Sequence, residues 1–507
     1  MIARDGANIS LWQDSSSPYQ PKNVADKDKE YDVIIVGGGI TGVSTGLLLQ
    51  KAGYQTAILE AATLCFGTTG GTTAHLNTLM DTPYSTITKN FSQEGAELVA
   101  KAAREALEFI QSNIDEYSID CGYEAASAFM FSQTKEQTEE LDEIGRSTLA
   151  VGLDIDDVDE IPLKIPFKKA LEIRGQAKFH PVRYVHALAK AFEDLGGSIA
   201  QHCRVESVDN TEPIRIKTSL GDFVAGTLIY ATHIPPGVSI LDTRCAPYRT
   251  YAMAVTLKDN SYPQGLIYDM YDPYHYYRTQ EIDGRQYLIV GGEDHKTAHE
   301  ENTAACFLRL ESHIRSHFEV DTVAYHWSSQ YFEPVDGLPY IGHMPGQPGN
   351  ILVATGFGGN GMTYSSIAAQ VIKSILTEDD SLYIKLFDPN RFKPIAGFTN
   401  FVKENFDVVK KMVGKLTDKA KLEELAGLAP GEGRLVRYDG HSIAMYKDDK
   451  GKIHALNPVC THMKCDVAWN GTEKSWDCPC HGARYDIDGK VLTGPADRDL
   501  EKIDIVE

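Results

Sequence analysis

Near the C-terminus the chain reads Cys460-Thr-His462-Met-Lys-Cys465 and then Cys478-Pro-Cys480-His481-Gly482. Each segment pairs one cysteine with one histidine, as C-x-H and C-x-x-H. Side chains of this kind converge on a shared centre, so the two segments must fold against each other. The alternation fits a [2Fe–2S] centre in which Cys460 and Cys478 hold one iron and His462 and His481 the other. Zinc also accepts two cysteines and two histidines, but its usual spacings group cysteines with cysteines and histidines with histidines.

A second constraint lies upstream. Val33-Ile-Ile-Val-Gly37-Gly38-Gly39-Ile40-Thr41-Gly42 is an apolar strand running into a glycine turn that opens a helix, and Glu60 ends the next apolar run. That is the context a dinucleotide fingerprint requires. Gly37 permits the tight turn, Gly39 lets the backbone approach a pyrophosphate, and Gly42 lets helix and strand pack closely. The helix N-terminus attracts phosphate. Glu60 would accept hydrogen bonds from ribose hydroxyls and repel a 2′-phosphate. The fingerprint alone does not separate FAD from NAD.

A length of 507 residues implies several domains. Composition is that of a globular chain, and the net charge of −22 argues against nucleic acid or an anionic membrane as main partner. Residues 1–30 lack an apolar signal core and a twin-arginine pair. The most apolar stretch, Val33 to Leu49, is broken by five glycines, so no integral membrane segment is expected. A cytoplasmic location follows from these absences. Cys65, Cys121, Cys203, Cys245 and Cys306 read as small buried hydrophobes.

Residues 1–30 form a polar N-terminal arm. Strand, turn, helix and strand cover Tyr31 to Glu60. Helices are expected at Ser92–Asn113, Thr134–Ala150 and Val182–Leu195, with strands at Ser198–Val208, Phe223–Ala231 and Ile351–Ala354. Aromatic alternating runs at 248–256, 265–278 and 286–291 suggest an antiparallel sheet. The fold class is therefore an α/β dinucleotide-binding domain interleaved with an antiparallel α+β domain over 31–390, which the resemblance given below makes an FAD domain and a substrate domain. A linker over 391–430 contains an amphipathic helix through Phe398, Val402, Phe406, Val409, Val413 and Leu416. A small all-β domain spans 431–507, with turns at Asp439-Gly440 and Asp488-Gly489.

Residues 31–390 resemble the D-amino-acid oxidase/glycine oxidase superfamily of FAD enzymes. The resemblance is carried by Asp32 to Glu60, the loop Gly67-Thr68-Thr69-Gly-Gly-Thr-Thr73, Val205, and Tyr230-Ala231-Thr232. It continues through Pro334-Val-Asp336-Gly-Leu-Pro339-Tyr-Ile-Gly342 and Gly356-Phe-Gly358-Gly359-Asn360-Gly361-Met362-Thr363. It implies a second loop beside the flavin diphosphate, Val205 offering its backbone to the adenine, and the late glycine turn against the flavin ring. Some members carry a lysine near the flavin where Thr363 stands, and others attach the flavin through a cysteine or histidine. Cys306 and His75 do not match those positions, so non-covalent FAD is expected.

Residues from about Gly433 to Glu507 resemble Rieske domains, with Gly494-Pro495 matching the third loop that shields the cluster. The resemblance implies that Cys465 and Cys480 link the two cluster loops by a disulfide, as in quinol-oxidising members; reduced thiols are the alternative in a reducing compartment. Tyr485 matches a tyrosine that hydrogen-bonds a ligand sulfur. Ala483 stands where high-potential centres carry a serine, so an intermediate potential is expected.

Candidates on the substrate side are Tyr248, Tyr251, Tyr268, Tyr271, Tyr274, His275, Tyr277 and Arg278. Arg278 or Arg249 suits a carboxylate, and His75 or His180 could face the flavin. Tyr277, Arg278 and His75 are the catalytic candidates. The expected function is oxidation of a small amine or amino acid at a C–N bond, with hydride passing to FAD. The Rieske centre would relay electrons to a one-electron acceptor, a protein or a quinone. The alternative is an electron-transfer or redox-sensing protein whose flavin is reduced by a partner. A Rieske oxygenase would need a further 2-His-1-carboxylate iron site, for which no compelling set is visible.

Overall fold

The structure, a computed structural model, describes residues 4–391, 428–438 and 441–503. Val33 to Val36 are apolar on both faces, which suits a central parallel strand covered on either side. Glu30–Val36 occupies that place. Thr56–Leu59 and Ser198–Ala200 extend the sheet on one side, and Gly221–Tyr230, Ile351–Thr355 and Tyr340–His343 on the other. All these pairs are parallel except the last, which is antiparallel. Helices Ile40–Lys51, Pro181–Asp194, Gly361–Leu376 and Gln93–Tyr117 pack together beside it. The expected strand over Ser198–Val208 is two strands. His202 takes a left-handed conformation, φ 56°, and the chain leaves the parallel sheet there. It resumes as Val205–Asp209, paired to Ile214–Thr218.

The second sheet has nine strands. At one side Cys245–Leu257 lies between the edge strand Val320–Pro334 and Arg285–Lys296, antiparallel to both. The aromatic run at 265–278 is also two strands, Leu266–Tyr268 and Tyr276–Ile282. Between them the Asp269 carboxylate accepts the backbone N–H of Tyr271 and His275 and bonds His275 Nδ1 at 2.8 Å, which folds residues 269–275 into a loop. Glu124–Ser132, Lys169–Lys178 and the long Val320–Pro334 strand were not expected. Their burial does not follow a clean alternation: exposed stretches and buried runs follow one another along each strand. One pair, Leu266–Tyr268 with Glu124–Ser132, is parallel.

The C-terminal residues build two small antiparallel sheets, one from Gly433–Tyr438, His441–Lys447 and Ile453–Leu456, the other from Ala468–Asn470, Ser475–Asp477, Arg484–Tyr485 and Val491–Thr493. The expected amphipathic helix through Phe398 and Leu416, and the Asp439-Gly440 turn, lie outside the described residues. No helix among the described residues is long and apolar enough to cross a membrane.

The N-terminal arm is a wedge between the two sheet systems. Leu11 and Trp12 are buried in the main core, and Trp12 Nε1 donates to Thr72 O at 2.6 Å. Arg4 pairs with Glu473 at 3.2 Å and with Asp5 at 2.8 Å. Asp5 in turn pairs with Arg484 at 3.2 Å, and Arg484 with Asp477 at 3.1 Å. Arg249 lies 3.9 Å from Asp477. All six side chains are at most 4 % exposed. Three positive and three negative groups therefore neutralise one another out of water, as buried charges must.

Candidate active site and metal centre

One cavity runs between the parallel sheet and the nine-stranded sheet. All the sequence-predicted cofactor residues line it except Gly42 and Thr363. The glycine turn Gly37 to Gly39, with Ile40 and Thr41, forms one wall. Gly37 sits at φ +113°, and a Cβ there would meet Ala231 O at 2.4 Å. Gly42 acts one layer back: a Cβ would lie 2.0 Å from Gly37 O, so only glycine lets the helix sit on its own turn. Gly67, Thr68, Thr69 and Thr73 bring the second loop alongside, where Thr69 Oγ1 accepts Ile40 N at 3.1 Å. Glu60 ends its strand with both carboxylate oxygens on backbone donors, Gly38 N at 2.7 Å and Ala62 N at 2.8 Å. Burial nonetheless pushes its carboxyl above the ordinary value.

Val205 lines the far end beside Arg204 and Cys203, and Ala231 and Thr232 line the edge of the parallel sheet. Gly358, Gly359, Asn360, Gly361 and Met362 close the opposite end. Asn360 fixes this turn: its Oδ1 accepts Asp81 N at 2.8 Å and its Nδ2 donates to Asn77 Oδ1 at 3.1 Å. Thr363 is buried behind the turn and donates to Asn77 O. The cavity is long and glycine-walled, with the Gly39-capped helix directed at its middle. This shape and donor set fit an FAD.

On the nine-stranded sheet the cavity is lined by Tyr268, Tyr274, Tyr276, Tyr331, Asp294, Thr250 and His75. The structure brings neither Tyr277 nor Arg278 there. Strand alternation turns Tyr277 to the opposite face, where it bonds His313 Nε2. Arg278 shares the face of Tyr276 but lies further along the strand. There its Nη1 donates to the carbonyls of Thr73, Ala74 and Phe179, and burial pushes its pKa down to about 9. Arg249 belongs to the buried ion network. His180 caps the helix Pro181–Asp194, its Nδ1 accepting Arg183 N. His75 does line the cavity. Its Nδ1 bonds Tyr268 Oη at 2.7 Å, and its Nε2 is buried without a partner. Burial, then the charges of Arg278 and Lys178, hold its pKa far below 6.5, so the ring is neutral.

Sequence reasoning missed Asp81, Asp294 and Tyr331. The carboxyl of Asp294 is pushed up to about 7 and that of Asp81 to about 6, burial being the main cause of each. For Asp294 a signal existed: it continues the aromatic strand expected at 286–291. Asp81 and Tyr331 lie outside every motif.

The structure brings the two Cys/His loops together. The rings of His462 and His481 sit 5.1 Å apart at 88°. Both Nδ1 atoms are buried and unpartnered. The Cys478 thiol, by hydrogen-bonding to Cys460, pushes the Cys460 thiol down to about 6. Two orphaned imidazole nitrogens and two adjacent cysteines, one of them readily ionised, are the donor set that a Rieske [2Fe–2S] cluster needs. Tyr485 Oη lies 3.2 Å from Cys460 Sγ. Cys465 and Cys480 form a disulfide that joins the two loops.

The two sites adjoin. Gln330 lines the flavin cavity, and its Nε2 donates to Gly482 O in the second cluster loop at 2.9 Å. Leu492, Thr493, Gly494, Ala496 and Asp497 line the same cavity. His462 Nε2 meets the Asp242 carboxylate at 3.2 Å.

Residues 32–375 match the model of the DAO family, FAD dependent oxidoreductases. The chain belongs to this family. Residues 419–504 match the Rieske [2Fe-2S] domain. The Bacillus subtilis (strain 168) protein YhfW, named for a Rieske 2Fe-2S iron-sulfur protein, is 30% identical over 486 residues, 94% of each chain. Gamma-glutamylputrescine oxidoreductase of Escherichia coli (strain K12) is 24% identical over 388 residues, 73% of this chain and 89% of its own. Among solved structures, glycine oxidase from Geobacillus kaustophilus superposes with a TM-score of 0.61 at 19% identity, over 72% of this chain and 99% of its own. The protein is thus an FAD-dependent oxidoreductase with a C-terminal [2Fe–2S] domain. Its two cofactors are FAD and a Rieske cluster.

Proposed function

We propose that the protein oxidises a small amine or amino acid at its C–N bond and relays the electrons through the Rieske cluster to an external one-electron acceptor, a protein or a quinone. FAD, when bound, accepts the hydride from the carbon beside nitrogen. The chain's own residues do the rest. Gly37 to Thr41, Gly67 to Thr73, Val205, Ala231, Thr232 and Gly358 to Met362 hold the cofactor without a covalent bond. Tyr268, Tyr274, Tyr276 and His75 shape the space beside it. Cys460, His462, Cys478 and His481 hold the cluster. A neutral His75 can accept a hydrogen bond but carries no charge against a substrate. The observation that carries the relay is the shared wall: Gln330 faces the flavin cavity and bonds the loop that bears Cys478 and His481. Linking donor and relay in one chain raises their effective concentration, which has little use if oxygen reoxidises the flavin directly.

The division of the chain that goes with this reading is an arm over 1–30, the flavin and substrate parts over 31–390, a linker over 391–430 and the cluster domain over 431–507. The free, buried thiols of Cys65, Cys121, Cys203, Cys245 and Cys306 suit a cytoplasmic setting.

The test is anaerobic. Substrate should bleach the flavin first, and the reduced-cluster signal should follow. In His481→Ala bleaching should persist, while turnover with a one-electron acceptor falls strongly. Unchanged acceptor-linked turnover in that variant would remove the cluster from the electron path.

A further inference from the structure

The substrate end of the cavity has a charge pattern that narrows what it takes. Two carboxylates line it, Asp81 and Asp294. Among the described residues only one cationic side chain lines the cavity, Arg204. It stands at the far end beside Val205, with its Nη2 donating to Val491 O at 2.6 Å. Arg278 is spent on three backbone carbonyls, and Lys178 is spent on Thr279 Oγ1 and Glu124. Among the described residues no cationic side chain at the substrate end therefore offers a carboxylate two parallel donors, and two acidic groups would repel it.

The same groups suit a cation. Asp294 Oδ2 accepts Tyr331 Oη at 2.9 Å, whereas its Oδ1 is buried with no partner. A buried acceptor left unmade is costly, and a donor placed there recovers that cost. Asp81 Oδ2 accepts Gly359 N at 2.6 Å, which ties the second carboxylate to the glycine turn. Tyr268, Tyr274 and Tyr276 add apolar walls that also favour a cation over their faces. The neutral His75 ring adds no opposing charge.

Resting on the amine-oxidation reading above, we propose that the substrate is a cationic amine with no carboxylate beside its reacting carbon, its ammonium received by Asp294 Oδ1 with Asp81 as the second acidic group. Binding satisfies the orphaned oxygen. The ammonium proton then passes to Asp294, whose buried carboxyl readily holds it, and leaves the neutral amine that hydride loss requires. The product is an iminium that water hydrolyses to an aldehyde or ketone, the nitrogen leaving as ammonia or an amine.

The test uses two probes of one shape and opposite charge on the FAD-loaded protein. tert-Butylammonium has no hydrogen on the carbon beside nitrogen and cannot be oxidised; pivalate is its carboxylate counterpart. Perturbation of the flavin absorbance reports binding. tert-Butylammonium should bind at least about tenfold more tightly than pivalate, and Asp294→Asn should weaken it by about tenfold. Asp81→Asn serves as a second variant should the first lose its flavin. Pivalate binding as tightly as the amine, or amine binding unchanged in both variants, overturns the proposal. Anaerobic bleaching separates the two readings. If α-amino acids bleach the flavin and n-butylamine does not, the substrate-oxidation reading stands and the cation site falls. If tert-butylammonium binds through Asp294 but neither class bleaches, the cation site stands and the substrate-oxidation reading falls.

Discussion

His180, read from the sequence as able to face the flavin, is instead a structural residue. It sits at the N-cap of Pro181–Asp194, accepts Arg183 N, and meets Ser15 Oγ at 3.0 Å. Burial pushes its pKa down to about 3. In the unfolded chain the ring titrates near 6.5. Below that pH the unfolded state binds a proton that the folded state refuses, so His180 lowers stability as pH falls from about 6.5 toward 3. His180→Asn keeps a capping side chain and removes that proton. The loss of melting temperature between pH 7 and pH 5 should therefore be smaller in the variant; an equal loss would refute the assignment. Tyr485 is the opposite case, a residue whose role the resemblance named and whose geometry agrees, with Oη 3.2 Å from Cys460 Sγ. Tyr485→Phe removes a hydrogen bond that stabilises the more negative, reduced centre. The cluster potential should drop by on the order of 50 mV, read by redox titration, and an unmoved potential would show that the contact does not tune the cluster. Gly37, Gly39, Gly42 and the four Cys/His positions were legible because their spacing is itself the constraint. Asp81, Asp294 and Tyr331 were not, since a single carboxylate or phenol in a loop or strand carries no periodicity.

At the scale of elements, legibility followed amphipathic pattern and punctuation. Gln93–Tyr117, Lys135–Ala150 and Pro181–Asp194 were read from apolar spacing and end signals, and the structure differs from those readings by only a few residues at most ends. Val320–Pro334, buried in a run over 327–330 between partly exposed stretches, lacks the alternation that marks a uniformly half-exposed strand. The error over Tyr277 has the same root. Alternation puts Tyr276 and Tyr277 on opposite faces, and only pairing with Arg285–Lys296 settles which face meets the cavity. The N-terminal arm was read as a polar lead-in, and its polarity is its function here. Arg4 and Asp5 complete a buried ion network with Glu473, Arg484, Asp477 and Arg249. Arg4→Met leaves Glu473 buried with backbone donors and Ser328 as its remaining partners. Removing one member of such a network costs roughly 3–5 kcal/mol. Chemical denaturation of the variant should show that loss; a change under about 1 kcal/mol would mean the network relaxes or is wetter than its burial implies.

For the whole molecule, the docking of the two cofactor sites could not be read in advance. Asp242 and Gln330 lie far from the cluster loops in the chain and meet them only where the domains dock, and Glu473 of the cluster domain meets Ser328 of the flavoprotein across the same contact. That docking carries a consequence for electron flow. His462 and His481 are 8 % and 4 % exposed, and His462 Nε2 is covered by Asp242, so the histidine edge faces the flavoprotein rather than an external partner. In the relay proposed above, this edge suits receiving electrons from within the chain. Gln330 is a side chain shared by both sites, with Oε1 accepting from Thr297 Oγ1 at 3.1 Å and Nε2 on Gly482 O. Gln330→Leu preserves bulk and removes both bonds. The rate of flavin bleaching by substrate should stay near wild type, because the reacting end of the cavity is untouched. The following rise of the reduced-cluster signal should slow by about tenfold, since a loosened Cys478–Gly482 loop lengthens the gap and weakens its packing. Stopped-flow absorbance separates the two phases. A cluster phase as fast as in the wild type would mean that the flavin and the cluster exchange electrons by a path that does not depend on this contact.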